Sequence, residues 1–129
     1  MLELTVTTRD NKEVVDITDG VNEILRNNNI KDGLVHLFVA HTTAALTTAD
    51  LDPGTDLDML DAFDELVPKL DFRHPHDPSH TPDHILSSLI GASLAVPVDE
   101  GKLVLGTWQR IILIEFNGPK DRKIIVSIS

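Results

Sequence analysis

The chain has 129 residues, no cysteine, 41% apolar and 25% charged residues, and a formal net charge of −10 from 21 acidic against 11 basic side chains. This length suits one domain, residues 1–129, around one core. The missing cysteines exclude thiolate metal sites, thiol nucleophiles and disulfides, so any metal must sit on His, Asp and Glu. The acidity repels a phosphate backbone, which argues against nucleic acid as a partner. No apolar run approaches membrane-spanning length and the first residues lack a signal-peptide pattern, so the expectation is a cytoplasmic protein without a membrane partner.

Leu2, Leu4 and Val6 alternate with Glu3, Thr5 and Thr7, the period of a half-buried strand, and Val14–Ile17 reads as its hairpin partner across the polar "RDNK" turn. Val21, Ile24, Leu25 and Asn28 then share one helical face behind the candidate caps Thr18 and Asp19, and the helix runs out in "NNN" before Gly33. "LVHLFVAH", 34–41, is apolar at nearly every position and predicts a central strand covered on both faces. Alternation sends His36 and His41 to opposite sides of the sheet. His41 stands at the strand end, where functional groups are presented, and His36 reads as a core or interface histidine.

The second helix has Asp52 as N-cap and Pro53 at its first position, with Leu57, Leu60, Phe63, Leu66 and Val67 as an inward stripe ending at Pro68. Its carboxylates, Asp56 to Glu65, read as a wet face with favourable N-terminal charge. Residues 69–81 show no periodicity, and a loop of that length in a compact domain is functional or mobile. It contains "HPHDPSHTPDH", 74–84, with four of the six histidines. A third helix should begin at Thr81-Pro82, carry Ile85, Leu86 and Leu89 inward and break near Gly91. His80 and His84 straddle its start, which disfavours a two-histidine clamp on one helical face.

The remainder reads as strands: "SLAVPV", "LVLGTWQ", "RIILIEF" and "RKIIVSIS", joined by the "DEGK" and "NGPKD" turns. Strand runs with two or three inserted helices predict an α+β, two-sheet β-sandwich-like domain and not a doubly wound sheet. Arg110, Lys120, Arg122 and Lys123 either serve a small anionic ligand or form a solvated strand and turn, the second being the commoner arrangement.

Three stretches, "HTTAALTTADLDP", "FRHPHDPSHTPDHI" and "LGTWQRIILIEFNGPKDRKIIVSI", together resemble the YjbQ-like family, small proteins often labelled secondary thiamine-phosphate synthase. The resemblance spans nearly the whole chain. It implies a homotrimer with its sheets packed around the threefold axis. By motif it places the family's histidines at His41, His74 and His84, and its other site positions at Asp52, Trp108, Gln109 and Glu115. Asp50 stands where the family commonly has Asn, Asp83 where Ala is usual, and Phe72 replaces the usual Tyr, removing a hydroxyl.

Imidazoles from a strand end, a loop and a helix start suit a tetrahedral divalent-metal site, zinc foremost with magnesium as the alternative, that keeps one position for water or substrate. Asp71, Asp77 and Asp83 lie beside the histidines as candidates to orient their rings. The other reading of the same loop is a proline-stiffened polar connection whose histidines only hydrogen-bond. Gln109 and Glu115 share strand parity but lie six residues, roughly 20 Å, apart, so one subunit cannot bring both to one atom. Either one belongs to a neighbour's site or Glu115 is a structural charge paired with Arg122. Trp108 reads as an apolar wall or interface anchor. The expected activity is that of an enzyme acting on a phosphate-bearing small molecule, with thiamine-phosphate synthesis as a side activity. The alternative is a non-catalytic metal- or metabolite-binding trimer.

Overall fold

The computed structural model describes residues 1–129 as eight strands and three helices. In chain order these are β1 (Leu2–Thr7), β2 (Glu13–Asp16), α1 (Thr18–Asn27), β3 (Gly33–Val39), β4 (Ala44–Ala49), α2 (Thr55–Leu66), α3 (Thr81–Ile90), β5 (Ser93–Asp99), β6 (Lys102–Leu103), β7 (Arg110–Glu115) and β8 (Asp121–Ile128). The strands form two antiparallel sheets, one ordered β1-β8-β3-β5-β6 and the other β2-β7-β4. The two-sheet α+β architecture is therefore as the strand pattern predicts. No helix is long and apolar enough to cross a membrane.

The larger core lies between the sheets. Val35, Leu37 and Val39 of β3 and Ile124 and Val126 of β8 face Leu46, Ile111 and Leu113 across the sandwich, and Val21 and Leu25 of α1 close its side. A second cluster covers the other face of the three-stranded sheet, where Ala45, Ile112 and Ile114 meet Leu86 of α3 and Met59, Leu60 and Phe63 of α2. The layers are thus sheet, sheet, helices. The strand buried on both faces is β7, whose residues Ile111 to Glu115 are all buried, and not β3, which alternates. The reason is that no helix covers the outer face of the five-stranded sheet. Leu34 and Phe38 remain 39% and 49% exposed there, and His36 only meets Ser129 Oγ at 2.9 Å.

Other expectations are corrected. The first two strands do not form a hairpin: β1 pairs β8 and β2 pairs β7, in different sheets. The polar turn between them is a crossing from one sheet to the other. Asp52 does not cap α2. It sits in a turn whose carbonyl accepts from Thr55 N–H at 2.9 Å, and the helix starts after Gly54, which adopts φ 93°. The α2 stripe holds at Leu60, Phe63 and Val67, but Leu57 and Leu66 are exposed and Met59 packs inward instead. In α3 the inward positions are Asp83, Leu86 and Ser87, and Leu89 is 71% exposed. Of "LVLGTWQ" only Leu103 is strand, the end of β6.

Candidate functional site

One end of the sandwich opens into a cleft of about 500 Å³. Its fixed wall comes from the chain between β3 and β4 (His41, Thr42, Thr43) and from the β7–β8 connection with the start of β8 (Asn117, Lys120, Arg122). The facing wall is the histidine-rich loop and the first turn of α3, which supply His74, His76, Asp77, His80 and His84. The long aperiodic segment thus forms one wall of the cleft. Prolines stiffen it, and a short 3-10 turn, Pro78–His80, delivers the chain into α3, with Asp77 Oδ1 accepting from Ser79 N–H at 3.0 Å.

His74 and His84 meet directly. Their Nε2 atoms are 3.3 Å apart and the rings stack at 5.2 Å between centroids. The partners of the other ring nitrogens assign the tautomers. His84 Nδ1 lies 3.1 Å from the Thr42 carbonyl, an acceptor, so it carries a proton and donates. The backbone N–H of His76 donates to His74 Nδ1 at 3.3 Å, so that nitrogen is bare. For neutral rings it follows that His74 Nε2–H donates to the free lone pair of His84 Nε2. The two imidazoles hold one proton between them at the cleft.

His41 reaches the same cleft but is held differently: its Nε2 accepts from Lys123 N–H at 2.9 Å. Burial first, and then the positive charges of Arg122, Lys120 and Lys123, push its pKa below the ordinary value against a smaller opposing effect of Glu115. His41 is therefore a neutral ring with Nδ1–H as its remaining donor. His80 is clamped by two carboxylates, Nδ1 to Asp83 Oδ2 at 3.1 Å and Nε2 to Asp77 Oδ2 at 3.0 Å. The Ser79 hydroxyl and N–H, followed by smaller contributions, hold the Asp77 carboxyl below its usual range. Asp83 is buried and is also met by Lys12 Nζ at 2.5 Å. Of the three aspartates expected to orient imidazoles, Asp77 and Asp83 do so, but for His80 and not for His41, His74 or His84.

Beneath the cleft lies the Glu115–Arg122 pair. Glu115 shares parity with Ile111 and Leu113, and Arg122 with Ile124 and Val126, so the two side chains meet inside the sandwich and bridge the sheets. They are not neighbours within one sheet, although β7 and β8 are consecutive. Glu115 is 0% and Arg122 1% exposed. Arg122 Nε donates to Glu115 Oε2 at 2.8 Å and Nη2 donates to Oε1, to the Thr43 carbonyl (3.1 Å) and to Thr43 Oγ1 (2.7 Å). Glu115 also accepts from Thr8 Oγ1 at 2.9 Å and Asn117 N–H at 3.0 Å. Burial alone raises its pKa, but Arg122 and these donors outweigh it and hold the carboxyl below the usual range.

The remaining sequence candidates lie elsewhere. Gln109 is at the opposite end of β7 from Glu115, where Oε1 accepts from Gly106 N–H and Nε2 donates to Thr48 Oγ1, each at 2.9 Å. Asp52 and Trp108 line a separate depression with Asp50 and Arg110. None of these three borders the histidine cleft. Conversely, Asn117 and Thr42 are cleft residues that sequence reasoning passed over, because nothing in their local pattern distinguishes them from turn residues.

No three His, Asp or Glu side chains stand close enough together to hold a metal ion. The His74–His84 pair nevertheless fits two ligands, since zinc–nitrogen bonds of 2.0–2.1 Å in a tetrahedron put ligand nitrogens about 3.3–3.4 Å apart. His41 would have to give up its Lys123 bond to present Nε2 as a third.

The family description "UPF0047 protein YjbQ-like" matches residues 2–129. The chain belongs to the YjbQ-like UPF0047 family. It is 40% identical over 126 residues to a UPF0047 protein of Archaeoglobus fulgidus, covering 97% of this chain and 98% of the relative. To the UPF0047 protein YugU of Bacillus subtilis it is 38% identical over 128 residues, covering 98% and 96%. Among solved structures, an uncharacterised YjbQ/UPF0047-family protein from Clostridium acetobutylicum matches with TM-score 0.90 and 37% identity over 100% of both chains. The hypothetical protein APE1520 from Aeropyrum pernix matches at TM-score 0.91 and 33% identity, covering 98% and 96%. The YjbQ-like fold is thus shared end to end.

Proposed function

We propose that this YjbQ-like protein is an enzyme that binds a phosphate-bearing small molecule in the histidine cleft and transfers a proton to or from it through the His74–His84 pair. The observation that carries the reading is the composition of the cleft: five imidazoles, Lys120 and Arg122 with a single carboxylate, Asp77, on a chain whose net charge is −10. A cleft lined by imidazole, ammonium, guanidinium and amide donors offers an anion hydrogen bonds that the carboxylate-rich remainder of the chain does not. A substrate entering between the rings would take the place of the His74–His84 hydrogen bond, freeing the His84 Nε2 lone pair as the base or the His74 Nε2–H as the acid. Thr42 and the His76 N–H keep the two tautomers complementary.

The 3.3 Å nitrogen separation favours one further reading, in which a divalent ion, zinc foremost, is held by His74 and His84 and supplies Lewis-acid polarisation of a phosphoryl oxygen or bound water. Because a third protein ligand is lacking in the subunit, the proton-transfer reading takes precedence. Leu34 and Phe38, exposed on an outer sheet face that no helix covers, support assembly as a homotrimer.

The test is turnover of a panel of small phosphate esters by the purified protein, with and without added zinc or magnesium, alongside His74→Asn and His84→Asn. The expected result is turnover of at least one ester that either substitution reduces by about a hundredfold or more. Tight ligand or metal binding with no turnover would establish the non-catalytic binding trimer instead.

A further inference from the structure

Arg122 presents a buried guanidinium with one nitrogen left over. Nε and Nη2 are committed to Glu115 and Thr43. Nη1 donates to nothing within the protein, although the residue is 1% exposed and lines the cleft. Nη1 is not among the buried orphaned atoms, so it keeps access to the cleft and is a donor that an anion there can use. Around it stand other donors that the fold does not use: the ammonium of Lys120, which has no carboxylate partner, the side-chain amide of Asn117, and His41 Nδ1–H, left free because Nε2 accepts from Lys123. Glu115, held by Thr8 and Asn117 and bonded to both Nε and Nη2 of Arg122, fixes the guanidinium plane.

Resting on the reading of the cleft as a phosphate-ester site, we propose that Arg122 Nη1, Lys120, Asn117 and His41 form the seat for a single phosphate group of a small phosphomonoester, with Glu115 as the positioning residue for Arg122. The remainder of the ester extends towards the His74–His84 pair on the facing wall. One phosphate, and not a diphosphate, matches the supply of cations. Only Lys120 and Arg122 reach the cleft, Arg122 is already offset by Glu115, and Lys123 points to the outer face, where Glu3 lies 3.8 Å away. Asp77 is the sole cleft carboxylate, so nothing there assembles the carboxylate-held magnesium that diphosphates usually require.

The seat is tested by calorimetric titration of the full chain with inorganic phosphate and with pyrophosphate, each variant being checked for folding by its thermal transition. Phosphate is expected to bind in the millimolar range, and pyrophosphate no more than a few-fold tighter. Lys120→Ala, at an exposed side chain that leaves folding intact, and Arg122→Lys, which keeps the charge but removes Nη1, are each expected to weaken phosphate about tenfold. His74→Asn and His84→Asn should leave phosphate affinity within about twofold. Retained affinity in Lys120→Ala, or loss of affinity only in the two histidine variants, overturns the seat. Pyrophosphate binding tenfold or more above phosphate overturns the single-phosphate assignment. Phosphate binding with the expected variant pattern but no ester turnover upholds the seat while defeating the proton-transfer reading, so the two fail separately.

Discussion

Replacing Glu115 by Gln removes one charge from a pair that is wholly enclosed between the sheets. The amide keeps the shape and one acceptor oxygen, but sets an NH2 group against the Arg122 N–H groups or against Thr8 and Asn117, all of which donate to the carboxylate. Breaking one side of a buried, fully bonded ion pair costs about 3–5 kcal/mol, because the remaining guanidinium is left charged without a counter-ion. At about 3–5 °C per kcal/mol for a chain of this size, the thermal midpoint should fall by about 10–20 °C. Urea unfolding at neutral pH measures the free energy directly. The double variant Glu115→Gln with Arg122→Met should recover at least about 2 kcal/mol of the loss, since an apolar side chain needs no counter-ion. A loss below about 1 kcal/mol for the single change, or no recovery in the double, would refute the account of this pair as the bolt between the sheets.

Other outcomes follow from the same structure. Because the Glu115 carboxyl is held below its ordinary value of 4.5 in the fold, its contribution to stability is complete above that value and is lost as pH falls through the folded one; urea midpoints measured between neutral pH and pH about 3 should fall less steeply in Glu115→Gln than in the parent. His41, held below its ordinary 6.5, is harder to protonate in the fold than in the unfolded chain, so acidification through that range costs stability and His41→Asn should flatten the upper part of the same curve. Gly33→Ala should cost more than about 1 kcal/mol by urea unfolding, because Gly33 has φ 126° and an added Cβ would lie 2.2 Å from the Ser129 carbonyl oxygen. Phe38→Asp, on the outer face of the five-stranded sheet, should shift the protein to a smaller species in light scattering if the trimer packs there, without loss of the monomer fold.

The sequence was legible where a segment's burial is decided by its own periodicity. The alternation of Leu2, Leu4 and Val6, the face of Val21 and Leu25 and the apolar run at Ile111–Ile114 all became the elements their spacing suggests. It misled where burial is decided by a distant layer. "LVHLFVAH" and "RIILIEF" look equally apolar, yet only β7 has helices behind it, and nothing local to β3 reveals that its outer face is bare. The pairing of β1 with β8 instead of β2 is likewise a long-range choice that a short polar turn does not announce. Within the site, four histidines among prolines in an aperiodic loop mark the segment as unusual, but the choice of His74 and His84 among them comes from the resemblance to the YjbQ-like family. Arg122 reads from the sequence as a solvated charge, an anion contact or the partner of Glu115; the pairing is what the structure shows, and what the sequence conceals is that it lies between the two sheets, over the end of the core.

The α2 helix contributes no fully buried residue, whereas the strands opposite are sealed. The loop that carries His74 and His76 hangs between this shallowly seated helix and α3, while His41 and Arg122 belong to the rigid sandwich. The cleft therefore has the mechanics of an anvil and a hammer. One surface is anchored in the sealed sandwich, and the other is seated against a helix with no fully buried residue, whose local opening costs less than that of the sandwich.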